Sequence, residues 1–175
     1  MEKYLTIGAV MAALVGAVTD VRGARIPNWL TYNSLLLAFI LRSVLLGIPG
    51  VKSGLVGLLI AGGFFFFLFL LGGMGGGDVK MMAAAGAWIG SQQVVAMLLV
   101  AALTGGVLAV LYAGFGQRVR QTLWNTLELI RFRLTSGLQP HPVLNVGEGS
   151  SARVPFGVAI AAACMYCAGT AIWWR

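Results

Sequence analysis

Six runs of apolar residues alternate with short polar breaks along the chain: 4–19, 29–48, 55–74, 79–90, 94–115 and 154–174. A helix needs about 20 residues, with a range of about 17–25, to cross the hydrocarbon core of a bilayer. Four runs meet that length, the first falls just short, and the fourth is the shortest, so it reads either as a crossing or as a re-entrant piece. The pattern predicts an all-α membrane protein, a polytopic helical bundle with about six transmembrane helices.

The one long polar stretch, 116–153, divides in two. Its first half, "QTLWNTLELIRFRL", puts Leu123, Leu127, Ile130 and Leu134 on one helical stripe with Trp124 beside it. Glu128, Arg131 and Asn125 lie largely off the stripe, which suits a helix lying in the interface plane. The second half, "TSGLQPHPVLNVGEGSSAR", is rich in Gly, Pro and Ser and reads as irregular loop. The expected organisation is a single transmembrane domain over 1–175 with a cytoplasmic loop and interfacial helix at about 116–153.

Composition agrees. Hydrophobic residues make up 59% of the 175 and charged residues only 10%, and the mean hydropathy is +0.89. A soluble domain carries about 25% charged residues, so this chain lacks the polar surface to cover itself in water. The first run has almost no basic flank and no small-x-small cleavage pattern, so it reads as a helix of the mature protein and not as a signal peptide.

Charge bears on topology more than on partners. The net charge of +7 reads as basic residues at the cytoplasmic ends of membrane helices, not as a nucleic-acid surface. If all six runs cross and the loop at 21–28 is cytoplasmic, the inside holds Arg22, Arg25, Lys80, Arg118, Arg120, Arg131, Arg133 and Arg153. The outside then holds Lys3, Lys52 and Arg175. That bias favours six crossings with both termini outside. Five crossings in the opposite orientation also satisfy it.

The reactive inventory is small. The one histidine, His141, lies between prolines in a loop, so no Ser–His or Cys–His set can form. Cys164 and Cys167 lie in an apolar run with no second pair nearby, which reads as packing. Several His, Cys or carboxylate ligands are needed for a metal site, and neither a metal nor another cofactor is expected. Of the five acidic residues, Glu2 is terminal, Glu128 lies on the amphipathic stripe and Glu148 is in the loop. The other two, Asp20 and Asp78, are the only aspartates. Each sits at the end of an apolar run, and six crossings put both on one face.

A carboxylate at the end of a membrane helix is a functional hypothesis by default, and a pair is a complete kit for peptide hydrolysis. One member, ionised, takes a proton from water while the other, protonated, donates to the scissile carbonyl. Two close carboxylates cannot both ionise cheaply, so they share a proton. Helix dipoles assign that proton to Asp20, at a helix C-terminus, and leave Asp78, as an N-cap, the anion. Before Asp78 stands "GGMGGG". Gly75 and Gly77 there offer positive φ or room for a substrate strand, or else a small-residue helix contact. The run matches neither phosphate-binding pattern, G-x-x-x-x-G-K-[ST] or G-x-G-x-x-G.

"TDVRGARIPNWLT" and "GGGDVK" together resemble the type IV prepilin peptidases, bacterial members of the GxGD aspartyl intramembrane-type proteases. Asp20, Arg22, Ile26, Pro27 and Asn28 match the D-x-R-x-x-x-I-P-N pattern, and Gly75, Gly77 and Asp78 match G-x-G-D. "RVPFG" at 153–157 resembles the P-[FY]-G that opens the last segment. The resemblance implies Asp20 and Asp78 as catalytic pair. It implies a prepilin-like substrate with a short basic N-terminal leader, cleaved after a small residue at the cytoplasmic face of the bacterial inner membrane. Larger members carry paired CxxC motifs in an early cytoplasmic insert and also N-methylate the new terminus. This chain has neither insert nor cysteines there, so peptidase activity without methyltransferase activity is expected. The compact size resembles the short peptidases of tight-adherence (Flp) pili and archaeal preflagellin peptidases. Arg22, Arg25 and Lys80 either raise the local positive potential or anchor head groups. Asn28 either bonds the substrate backbone or caps a turn, and Pro27 fits the first helical turn. The rival reading is a small proton- or cation-coupled transporter or channel subunit using the same two aspartates.

Overall fold

A computed structural model describes residues 2–23, 25–71, 74–115, 128, 131 and 155–173. Every regular element among them is helical: α1 (Glu2–Gly23), α2 (Asn28–Leu70), α3 (Gly76–Ile89), α4 (Val94–Phe115) and α5 (Phe156–Trp173). Four of these, all but α3, are long and apolar enough to cross a membrane. The outward faces of these helices carry large apolar side chains such as Leu37, Val44, Leu59, Leu103 and Val110. In water that surface would be a liability; against lipid it is the expected exterior. The expected interfacial helix lies outside the described residues, save for Glu128 and Arg131, which are helical and exposed.

α2 has 43 residues, about 65 Å if straight, more than twice the thickness of a hydrocarbon core. It is not straight. Gly47 holds φ 63° and ψ −154°, a conformation that costs a side-chain-bearing residue heavily, and Pro49 follows. Arg42 donates from Nη1 to the Gly50 carbonyl at 3.2 Å, and its side chain lies against Gly54. Residues 42 and 54 would be about 18 Å apart along one continuous helix. The chain therefore doubles back at 47–49, and α2 is a hairpin of two antiparallel halves, 28–46 and 50–70.

Small residues set how the helices approach. A Cβ at Gly57 would overlap the backbone of Gly86, and one at Gly86 would overlap the backbone of Gly57. A Cβ at Gly62 would press on Ala83. These pairs run antiparallel and bring the second half of α2 and α3 close, as small-residue contacts do in membranes. Gly8 lies under the Trp88 ring and Gly16 under Met81, which sets α1 antiparallel to α3. Gly105 faces the Phe156 ring, and Gln93 Nε2 bonds Thr170 Oγ1 at 3.1 Å, which does the same for α4 and α5. Trp88, Phe65, Met81, Met82, Ile160 and both cysteines fill the core.

The chain thus alternates direction through six packed helical stretches, and 20, 28, 78 and 157 gather at one end. α3 is 14 residues long, about 21 Å, and most of it is buried by its neighbours. It begins at Gly76, three residues before the apolar run predicts, because the glycines before Asp78 already belong to its first turn.

At the other end, Arg42 closes α3. The last carbonyls of a helix lack partners within it. Arg42 donates from Nε to the Ala87 carbonyl at 2.6 Å and from Nη2 to the Trp88 carbonyl at 2.9 Å. It is 3% exposed. Gly90, at φ 78°, leaves the guanidinium room, since a Cβ there would overlap Nη2.

Candidate active site

Asp20 sits in the last turn of α1, half-buried. One of its carboxylate oxygens accepts the backbone N–H of Gly157, in the first turn of α5, at 2.8 Å. That N–H is one of the donors a helix leaves unpaired at its start. Phe156 lodges its ring 5.5 Å from that of Phe65, which ties the first turn of α5 to the second half of α2.

Asp78 lies in the first turn of α3, and its position corrects the expected N-cap. The cap is Gly75, with φ −80° and ψ 145°, so Asp78 is three residues further in. Its N–H donates to the Gly75 carbonyl at 3.1 Å, and its carboxylate takes a hydrogen bond from the Gly75 backbone. This is the reach of a third-position acid back to the cap. A second correction concerns the glycines. Gly75 has an ordinary extended backbone, and the positive φ values among the described residues belong to Gly47 and Gly90. What Gly75 and Gly77 provide is space. A Cβ at Gly75 would stand 3.2 Å from an Asp78 oxygen, and one at Gly77 would stand 3.5 Å from Ile26 Cβ.

Asp20 and Asp78 lie at the same end of the bundle, near enough for the Asp20 charge to act on Asp78. Asp78 lies outside the four candidate spans. Burial first, and the Asp20 charge second, push its carboxyl up from 3.8 to about 6, against the opposing bond from Gly75. The helix-dipole expectation for this aspartate is therefore reversed. A dipole is worth ~0.3–1 kcal/mol at an exposed helix end. A rise of that size in pKa corresponds to roughly 3 kcal/mol at 1.36 kcal/mol per unit, so burial and the neighbouring charge win.

The other predicted residues divide. Lys80 Nζ donates to Asn28 Oδ1 at 2.9 Å and stands 5.6 Å from the centre of the Tyr32 ring. Lys80 and Asn28 thus join the start of α2 to the start of α3 beside the aspartates. Arg22 is exposed on the last turn of α1, and among the described residues it makes no ion pair with either aspartate. Pro27 is the N-cap of α2 and not its first helical residue. Gly157 is absent from the residues predicted for the site. The P-F-G that opens the last segment is its only sequence signal, and a backbone N–H leaves no chemical signature in a side-chain inventory.

No curated protein and no solved structure matches the chain significantly. A model of the type IV leader peptidase family matches residues 7–110, a span that holds both aspartates, Asn28, Lys80 and the glycines between. Because that match covers more than half of its length, this membrane protein belongs to the type IV leader peptidase family, and peptidase activity comes with that membership.

Proposed function

We propose that this peptidase is an aspartic endopeptidase embedded in the bacterial inner membrane. It removes the short N-terminal leader of prepilin-like proteins at the cytoplasmic face. The carrying observation is the meeting of Asp20 and Asp78 at one end of the bundle, from separate helices, within reach of each other's charge. A water held between the carboxylates loses a proton to Asp20 as it attacks the scissile carbonyl. Asp78, the more proton-retaining member, donates to the carbonyl oxygen as the tetrahedral intermediate forms, and proton return from Asp20 releases the amine. The protons belong to the pair, so activity follows its joint titration.

On this reading the six helical stretches all cross, with both termini outside; α3 crosses as a short buried helix whose first turn, Asp78 included, stays at the cytoplasmic interface. The stretch at 116–153 is the cytoplasmic loop with its interfacial helix. The single domain spans 1–175. Neither a cofactor nor methyltransferase activity is expected, and the compact size favours a tight-adherence (Flp) pilin as substrate. The Lys80–Asn28 bridge holds the mouth of the site and leaves the Asn28 amide nitrogen to meet the substrate backbone.

The test is co-expression with a pilin precursor and scoring of leader removal. Asp20→Asn and Asp78→Asn should each abolish processing, with protein levels in the membrane unchanged. Normal processing by either variant contradicts the dyad.

A further inference from the structure

We infer that the first turn of α5 is the positioning element of the dyad: Gly157 holds Asp20 through its backbone N–H, and its lack of a side chain lets the carboxylate reach it. The inference rests on the dyad reading and assigns a role to a residue outside both aspartate motifs.

Three observations converge on one atom group. The Gly157 N–H to Asp20 oxygen distance is 2.8 Å, within the range of a charge-assisted hydrogen bond. A Cβ at Gly157 would stand 3.1 Å from Asp20 Cβ, 3.1 Å from its bonded oxygen and 3.1 Å from Ala17 Cα. At least one of these would have to move, and two are on the α1 backbone or next to it. The turn itself is anchored from the far side. Val158 N–H bonds the Pro155 carbonyl at 3.2 Å, and the Phe156 ring sits between Phe65 and Gly105. The donor is thus held by contacts other than the carboxylate.

The chemical consequence is a division of labour. A carboxylate that accepts a backbone N–H has one oxygen committed, and the other is left to face water and Asp78. Gly157 is buried and its N–H is bonded to Asp20, so it acts through Asp20.

Gly157→Ala separates this role from packing. Purified wild-type and variant enzymes are compared on a prepilin substrate in proteoliposomes across pH 5–9. Contacts at 3.1 Å displace the neighbour by a few tenths of an ångström, and since about 1 Å can cost about 100-fold, kcat should fall several-fold, up to about 10-fold. KM should change less than about twofold on the same reasoning. The second measurement needs no variant at Gly157. In the wild-type protein, the Gly157 amide resonance should shift on Asp20→Ala and stay put on Lys80→Met. Wild-type kcat in Gly157→Ala overturns the inference, as does a Gly157 amide indifferent to Asp20→Ala. Either result leaves the dyad standing if Asp20→Asn is inactive. An active Asp20→Asn removes the dyad instead, so the two failures are distinct.

Discussion

Two aspartates in this chain have the same side chain and opposite circumstances. Both accept a backbone hydrogen bond, but Asp20 takes it from the start of another helix, whereas Asp78 takes it from its own cap and faces its partner's charge. Burial holds the proton on Asp78 up to about pH 6, so the folded protein binds this proton more tightly than the unfolded chain. Stability from this group is complete below 3.8 and is lost as pH rises through about 6. Asp78→Asn removes that loss. The variant should be inactive yet melt higher than wild type at pH 7–8, by an amount on the order of 1–3 kcal/mol. The gap should narrow at pH 5. A variant that melts lower at both pH values contradicts the buried setting of Asp78. The aspartates were legible in sequence because polar residues are so few that each one stands out. Their roles were not, because helix position speaks of dipoles and says nothing of how deep a carboxylate lies.

At the level of elements, the apolar runs located the helices well, and the errors sit at their ends. The break between the second and third runs coincides with Gly47 and Pro49, where the chain reverses. The onset of α3 lies earlier than an N-cap at Asp78 would put it, because "GGD" forms its first turn and Gly75 is the cap. Arg42 is a charge inside an apolar run. Its purpose depends on carbonyls 45 and 46 residues away in sequence, which no local pattern reveals. A buried guanidinium bonded to three carbonyls is costly to disturb, at ~1.5–3 kcal/mol for each charged hydrogen bond. Arg42→Ala should lower thermal stability by several kcal/mol. Arg42→Lys should recover only part of it, since an ammonium cannot reproduce the planar fork. Equal melting of all three proteins would contradict the clamp. The glycine contacts provide a paired comparison. Gly86→Ala forces a methyl into the backbone of Gly57 and should destabilise strongly. Gly63 has open space around it, and Gly63→Ala should be neutral or gain up to about 1 kcal/mol of helix propensity. Similar melting shifts for both would remove the close approach of α2 and α3.

For the molecule as a whole, hydropathy predicts six crossings, and length and composition alone identify four candidate helices, because α2 is assigned as one element and α3 is short. The hairpin at Gly47 reconciles much of this difference, and antiparallel packing brings the ends of α1, α3 and α5 to one side. That gathering was foreseeable only through topology. An odd number of crossings between Asp20 and Asp78 would have sent them to opposite faces. The most direct measurement therefore asks whether they share one. In a protein with Cys164 and Cys167 replaced by alanine, Asp20→Cys and Asp78→Cys are introduced together and treated with a short bifunctional maleimide in sealed inner-membrane vesicles of known orientation. The account predicts an intramolecular cross-link, and single-cysteine labelling of both positions from the cytoplasmic side only. Labelling of the two positions from opposite sides, without a cross-link, contradicts it.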